Sequence, residues 1–231
     1  MTKHIIVTGA SRGIGFETAL YLANNKNTVT AIARSENKLA KLKSVGGEYI
    51  QPLALDITTD SAGDRILKHL KQLNLPLDGL INNAGLLINK PFEKTTDRDW
   101  EQQITINLMA PVRLIRSLLP SFSKGAHILN ISSMGGFQGS SKFSGLSAYS
   151  VSKGALSILT ECLGEELIHK DIYTNCLCLG AVQTEMLNQA FPGFNAPVQP
   201  EEMGKYIGEF ILTGHRYYNG KILPVATNDP S

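Results

Sequence analysis

Charge of either sign is nearly absent as an excess. The 231 residues carry 22 Lys+Arg against 20 Asp+Glu, a formal net charge of +2. That balance supplies no field able to hold a nucleic-acid backbone or an anionic membrane surface. No apolar run approaches the ~18 residues that cross a bilayer as a helix. The apolar run at the N-terminus is shorter than a secretory signal requires. Only three cysteines occur, Cys162, Cys176 and Cys178, an odd count without metal-ligand spacing. They read as reduced thiols of a cytoplasmic protein with no bound metal. Linkers rich in Pro or Ser, charge blocks, solenoid repeats and low-complexity tracts are also missing. With 42% hydrophobic residues and 21 glycines the composition is that of an ordinary globular chain, and its length suits one domain.

What is present is a regular alternation of two apolar periods. Short, often β-branched runs predict strands at residues 4–8, 28–33, 49–55, 79–82, 126–131, 172–177 and 221–225. Helical spacing predicts helices at 14–25, 36–43, 59–73, 97–119, 148–169 and 201–212. The strands are too apolar to leave one face wet. An unbroken β-α-β-α order of this kind predicts an α/β fold, a doubly wound parallel sheet with helices on both faces, in a single domain over 1–231. Residues 180–200 have no period and predict a mobile flap.

The first strand runs into Thr8-Gly9-Ala10-Ser11-Arg12-Gly13-Ile14-Gly15 and then into a helix. A glycine-rich turn at that place lets the backbone approach a pyrophosphate and aims free helix N–H groups at it. Nucleotide binding is the expectation, with Gly9, Ser11, Arg12, Gly13, Ile14 and Gly15 as contacts. At the end of the second strand an NAD site usually offers a carboxylate to the ribose 2′-hydroxyl. Here Arg34 stands in Ala33-Arg34-Ser35, with Arg12 in the turn. Two guanidiniums suit a 2′-phosphate, so NADP(H) is expected over NAD(H).

Tyr149 and Lys153 are four residues apart at the start of the helix after the fifth strand, hence on one helical face. A free phenol titrates near ~10. A nearby ammonium and a cationic nicotinamide ring favour its ionised form. Tyr149 is then suited to giving a proton to a carbonyl oxygen while hydride reaches the carbon.

Taken with Asp56-Ile57-Thr58, Asn82-Asn83-Ala84-Gly85, Trp100 followed by Asn107, and Ile131-Ser132-Ser133, these pieces resemble the short-chain dehydrogenase/reductase family over nearly the whole chain. The resemblance implies a Rossmann-like fold and an NADP(H)-dependent oxidoreductase interconverting a carbonyl and an alcohol. It implies a catalytic tetrad of Asn107, Ser133, Tyr149 and Lys153. It also implies Asp56 and Ile57 at the adenine, Asn83 near the adenosine ribose beside Ala84 and Gly85, and Lys153 on the nicotinamide ribose. Gly180, Val182 and Thr184 follow the sixth strand, with Thr184 reaching the nicotinamide amide or a phosphate. The alternative is a catalytically silent NADP(H)-binding sensor or scaffold, which an incomplete tetrad would favour.

Two departures from the family pattern stand out. The family usually places the serine about thirteen residues before the tyrosine, a position held here by Gly136, whereas Ser133 lies sixteen before it. Leu179-Gly180 replaces the usual Pro-Gly. Pro111 adds a separate expectation. It has no N–H for the carbonyl four residues earlier, that of Asn107, which would leave this oxygen to hold a water near Lys153.

Met134, Phe137, Phe143 and Leu146 before the tyrosine, and Met186, Leu187, Phe191 and Phe194 in the flap, suggest a partly apolar ketone or aldehyde as the small-molecule substrate. Lys142 is the cation available there for an anionic group. Helices 97–119 and 148–169 carry more apolar faces than one sheet needs. In similar proteins they pair across a twofold axis, so a homodimer or homotetramer is expected.

Overall fold

The computed structural model describes residues 2–226. Seven strands form one parallel sheet in the order β3-β2-β1-β4-β5-β6-β7. They are β1 His4–Thr8, β2 Thr28–Ala33, β3 Ile50–Ala54, β4 Leu77–Asn82, β5 Phe122–Ser133, β6 Ile172–Leu179 and β7 Lys221–Val225. The helices are α1 Gly13–Asn24, α2 Glu36–Gly46, α3 Ala62–Leu73, α4 Asp97–Ile104, α5 Ala110–Leu118, α6 Ser147–Leu167, α7 Glu185–Ala190 and α8 Pro200–Thr213.

Successive strand side chains point to opposite faces, so each strand feeds two cores. Ile5, Val7, Ile81, Leu129 and Leu177 pack with Leu22 of α1, Leu42 of α2 and Ile207 of α8. Ile6, Leu80 and Ile128 pack on the other face with Ile66 of α3, Leu114 of α5 and Leu167 of α6. At roughly 1.5–3 kcal/mol for each buried large aliphatic side chain, neither face tolerates exposure. Two strand histidines are fully accommodated: His4 Nε2 lies 2.9 Å from Thr30 Oγ1, and His127 Nδ1 lies 3.0 Å from the Ile211 carbonyl.

The chain reverses its direction of winding between β3 and β4, so the crevice at the carboxyl ends of β1 and β4 is the switch point where such sheets take ligands. The structure refines several predicted bounds. β5 and β6 extend two residues past their apolar runs, pairing Ser133 with Leu179 at the sheet rim. Helix α3 starts three residues late, because Asp56 Oδ1 accepts the Thr58 N–H at 2.9 Å and holds a turn there. The predicted helix 97–119 is divided. A π turn over Thr105–Met109 joins α4 to α5, with the Ala110 N–H bonded to the Thr105 carbonyl. Residues 180–200 contain helix α7, and Val182 bridges Val198 in parallel.

Candidate active site

The glycine turn takes its shape from the residues around it. Gly9 has φ +71° and Gly13 +56°, backbone that L side chains rarely adopt. A Cβ on Gly9 would meet Ala84 Cα at 2.8 Å, and one on Gly15 would meet the Gly9 carbonyl at 2.5 Å. Thr8 Oγ1 accepts the N–H groups of Asn83 and Ala84, both at 3.1 Å, while Asn83 Nδ2 donates to the Thr8 carbonyl at 2.9 Å. The Asn-Asn-Ala-Gly segment is thereby fastened to the turn. Helix α1 has neither a side-chain cap nor an acid in its first turn, so its first N–H groups face the crevice as donors. This cradle, without room for a Cβ and with free donors, fits a dinucleotide's phosphates.

The crevice has a volume of about 1030 Å³. Its walls include Gly9, Ser11, Arg12, Gly13, Ile14, Gly15, Arg34, Asp56, Ile57, Asn83, Ala84, Gly85, Ser133, Tyr149, Lys153, Gly180, Val182 and Thr184. Asn107 is the exception among the expected site residues. It lies behind the wall, fully buried, with Nδ2 donating to the Leu86 carbonyl and to Ser152 Oγ, each at 2.9 Å. Its Oδ1 accepts the Leu86 N–H at 2.8 Å. Its side chain therefore ties the crevice wall to α6.

At the other end of the crevice, Lys153 Nζ donates to the Ile131 carbonyl at 2.7 Å. Burial lowers the Lys153 ammonium to about 8. Burial also pushes the Tyr149 phenol up to about 12, against a smaller opposing pull from the neighbouring Ser133 hydroxyl. The shift runs opposite to the lowering expected from an adjacent ammonium, because desolvation outweighs every other influence here. Ser133 Oγ accepts the Gly135 N–H at 3.1 Å, which leaves its own proton to donate. Ser132 turns the other way and donates to the Lys153 carbonyl at 2.9 Å, with Ser157 donating to the same oxygen at 3.1 Å. The alternation of a strand thus separates the two serines, one toward the crevice and one clamping α6.

Asp56 stays ionised. Burial alone would raise its carboxyl, but hydrogen bonds from Thr58 and the charge of Arg34 hold it below the ordinary value. Thr184 Oγ1 accepts the Leu187 N–H at 3.2 Å and so caps α7. Gly180 N–H donates to the Val225 carbonyl at 2.9 Å, holding the turn without the usual proline.

Of the eight apolar residues expected to surround the substrate, seven line the crevice, joined by Leu86 and Leu87. Phe137 does not; it packs on Met134, Cys176 and Cys178 beneath the site. Lys142 is also removed from any substrate role, since its ammonium donates to the Phe137 and Ser140 carbonyls of its own loop at 2.7 and 2.9 Å. Sequence reasoning missed Glu185, which lines the crevice and pairs with Arg12, and Lys38, which lines a side depression with Arg34. Lys38 had a signal, being four residues after Arg34; Glu185, 173 residues from Arg12, had none.

A family model described as short chain dehydrogenase matches residues 3–193. The chain belongs to the short-chain dehydrogenase family, and its relatives are named oxidoreductases. It is 34% identical over 191 residues to a ketoacyl reductase, HetN, of a Nostoc strain, covering 80% of this chain but only 65% of that relative. It is 30% identical to the 3-oxoacyl-[acyl-carrier-protein] reductase FabG of Pseudomonas aeruginosa, over 96% of this chain and 95% of FabG. The solved L-sorbose reductase of Gluconobacter frateurii, complexed with NADPH and L-sorbose, superposes with a TM-score of 0.87 at 25% identity, over 99% and 96% of the two chains. A 3-ketoacyl-(acyl-carrier-protein) reductase of Brucella melitensis complexed with NADH shares the fold, with a TM-score of 0.88 at 22% identity over 96% of each chain.

Proposed function

We propose that the chain is an NADP(H)-preferring reductase that converts a neutral, partly apolar ketone or aldehyde to an alcohol. The observation that carries this reading is the convergence of Tyr149, Ser133 and Lys153 on one crevice with the glycine turn. A bound nicotinamide cofactor would supply the hydride. Gly9–Gly15 and the N-terminus of α1 would hold its phosphates, and Arg12 and Arg34 would meet a 2′-phosphate. Tyr149 would hand its proton to the substrate oxygen, and Ser133 would donate a hydrogen bond to that same oxygen. Lys153, charged below about pH 8, would stabilise the phenolate left behind. The Asn107 carbonyl, to which Pro111 offers no N–H, would keep a water between Lys153 and solvent.

The substrate half of the crevice supports an uncharged substrate. Leu86, Leu87, Phe143, Leu146, Phe191 and Phe194 line it, and Lys142 is committed elsewhere. A panel of ketones, aldehydes and quinones followed by NADPH absorbance should show turnover of neutral apolar carbonyls, at least tenfold above carboxylated analogues. No turnover across the panel would leave a nucleotide-binding protein instead.

Assembly follows from the same helices. Val151 and Ile158 of α6 are 51% and 62% exposed and lie seven residues apart on one stripe, with Met109 exposed nearby in sequence to α5. A second copy would cover this stripe. Sedimentation at micromolar concentration should give a dimer or tetramer, and a 25.1 kDa species would exclude it.

A further inference from the structure

Beside the main crevice, Ser11, Arg12, Arg34, Ser35 and Lys38 surround a depression of about 430 Å³. Three of the five are cations from different places: the glycine turn, the end of β2 and the first turn of α2. Ser35 Oγ accepts the Lys38 N–H at 3.4 Å and caps that helix, so Lys38 sits on a fixed turn. Into the edge of this basic group reaches one carboxylate. Arg12 Nη1 donates to Glu185 Oε2, and Glu185 is the first residue of α7. The approach is set by the preceding residue, because Thr184 lies where a Cβ on Gly13 would touch it at 3.4 Å. The hydrogen bond from Arg12 and, after it, the charges of Arg12 and Lys38 lower the Glu185 carboxyl.

Resting on the NADP(H) reading above, we infer that Lys38 and Glu185 determine how strongly this chain selects a cofactor bearing a 2′-phosphate. Lys38 is a third cation for that phosphate, and Glu185 is a carboxylate that competes with it for Arg12. A phosphate placed among Arg12, Arg34 and Lys38 brings its negative charge against the Glu185 carboxylate. A cofactor with a free 2′-hydroxyl has no charge to set against it and leaves the Arg12–Glu185 pair as it is. The pair is half-exposed, 45% and 58% for the two side chains, so solvent screens it and it yields to a dianion. Selectivity is therefore graded: Glu185 lowers the advantage that the three cations confer. Because Glu185 belongs to the flap, a phosphate that takes Arg12 also loosens a contact between the flap and the glycine turn.

The test is calorimetric binding of 2′,5′-ADP and 5′-AMP to the purified full chain and to Glu185→Gln, Lys38→Ala and Arg34→Ala variants, with circular dichroism to confirm folding. Glu185→Gln should tighten 2′,5′-ADP roughly two- to fivefold, the range expected of exposed charge pairs, and leave 5′-AMP unchanged. Lys38→Ala should weaken 2′,5′-ADP at least about threefold and spare 5′-AMP. Unchanged or weaker 2′,5′-ADP binding in Glu185→Gln, or equal tightening of both ligands, overturns the role of Glu185. If Arg34→Ala weakens only 2′,5′-ADP while Lys38→Ala and Glu185→Gln do nothing, the cofactor reading stands and this inference alone falls. If the native chain binds both ligands alike and Arg34→Ala changes neither, the cofactor reading fails and takes this inference with it.

Discussion

Replacing Tyr149 by Phe is expected to lower turnover about 10³-fold while cofactor affinity stays within about twofold, within the range general acid–base catalysis contributes. The substitution removes one oxygen and keeps the ring that forms part of the crevice wall. Lys153 keeps its bond to the Ile131 carbonyl, and Ser133 keeps the Gly135 N–H. Only the proton donor is lost. The pH profile separates this from a packing defect. Burial brings the Lys153 ammonium down to about 8, so its charged form prevails below that pH and disappears above it. The native rate of carbonyl reduction should therefore decline above about pH 8, whereas the residual rate of Tyr149→Phe, with no phenolate to stabilise, should be flat there. Stopped-flow traces of NADPH oxidation would measure both. A variant that turns over at close to the native rate, or one that loses cofactor binding as much as rate, contradicts the assignment.

Gly136→Ala should destabilise the fold by about 1–3 kcal/mol, the range for an overpacked interior, and reduce turnover about 10²-fold. A Cβ at this position would meet the Gly154 nitrogen at 2.6 Å, the Lys153 carbonyl carbon at 2.6 Å and Lys153 Cβ at 2.8 Å. All three belong to the turn of α6 that presents Lys153, and two are backbone atoms that cannot rotate aside. The helix must move outward, and the ammonium moves with it. Urea unfolding and steady-state kinetics on one preparation would register both effects; loss of stability with intact kcat would show that α6 gives way elsewhere. The same contacts bar a side chain at 136, the position thirteen residues before the tyrosine. Gly136→Ser would add no second donor to the site, only the clash.

These two positions show where the sequence was readable. Tyr149 and Lys153 could be paired from their spacing because a helix fixes the geometry of residues four apart. The glycine turn was equally local: strand, positive-φ glycines and helix follow one another without interruption. The two faces of the sheet were legible because strands alternate, and each run of apolar residues had to be covered twice. Pro111 was read as a missing N–H at the Asn107 carbonyl, and the π turn beside it was not foreseen, since one extra residue in a turn barely disturbs a 3.6-residue period. Phe137 was misplaced for a different reason. In an aperiodic loop nothing in the order of residues says which side chain faces the crevice and which faces Cys176 and Cys178. Glu185 and Lys38 show the same limit at long range. Whether a surface charge is solvated or paired depends on which distant segment folds onto it.

The bridge between Val182 and Val198 gives the segment between them a closed neck. The Gln183 N–H donates to the Val198 carbonyl at 2.9 Å, and Gln183 Oε1 accepts the Ala196 N–H at 2.6 Å, so entry and exit are stitched together. Such a loop is an appendage whose length and side chains vary without pulling on the sheet that bears it. Phe191 and Phe194 ride near its tip, and the ring of Phe191 lies 6.5 Å from that of Phe143 across the entrance. Fifteen residues, 183–197, therefore carry Met186, Leu187, Phe191 and Phe194 of the apolar crevice wall on a unit hung from the sheet, while Leu86, Leu87, Phe143 and Leu146 complete that wall from other loops.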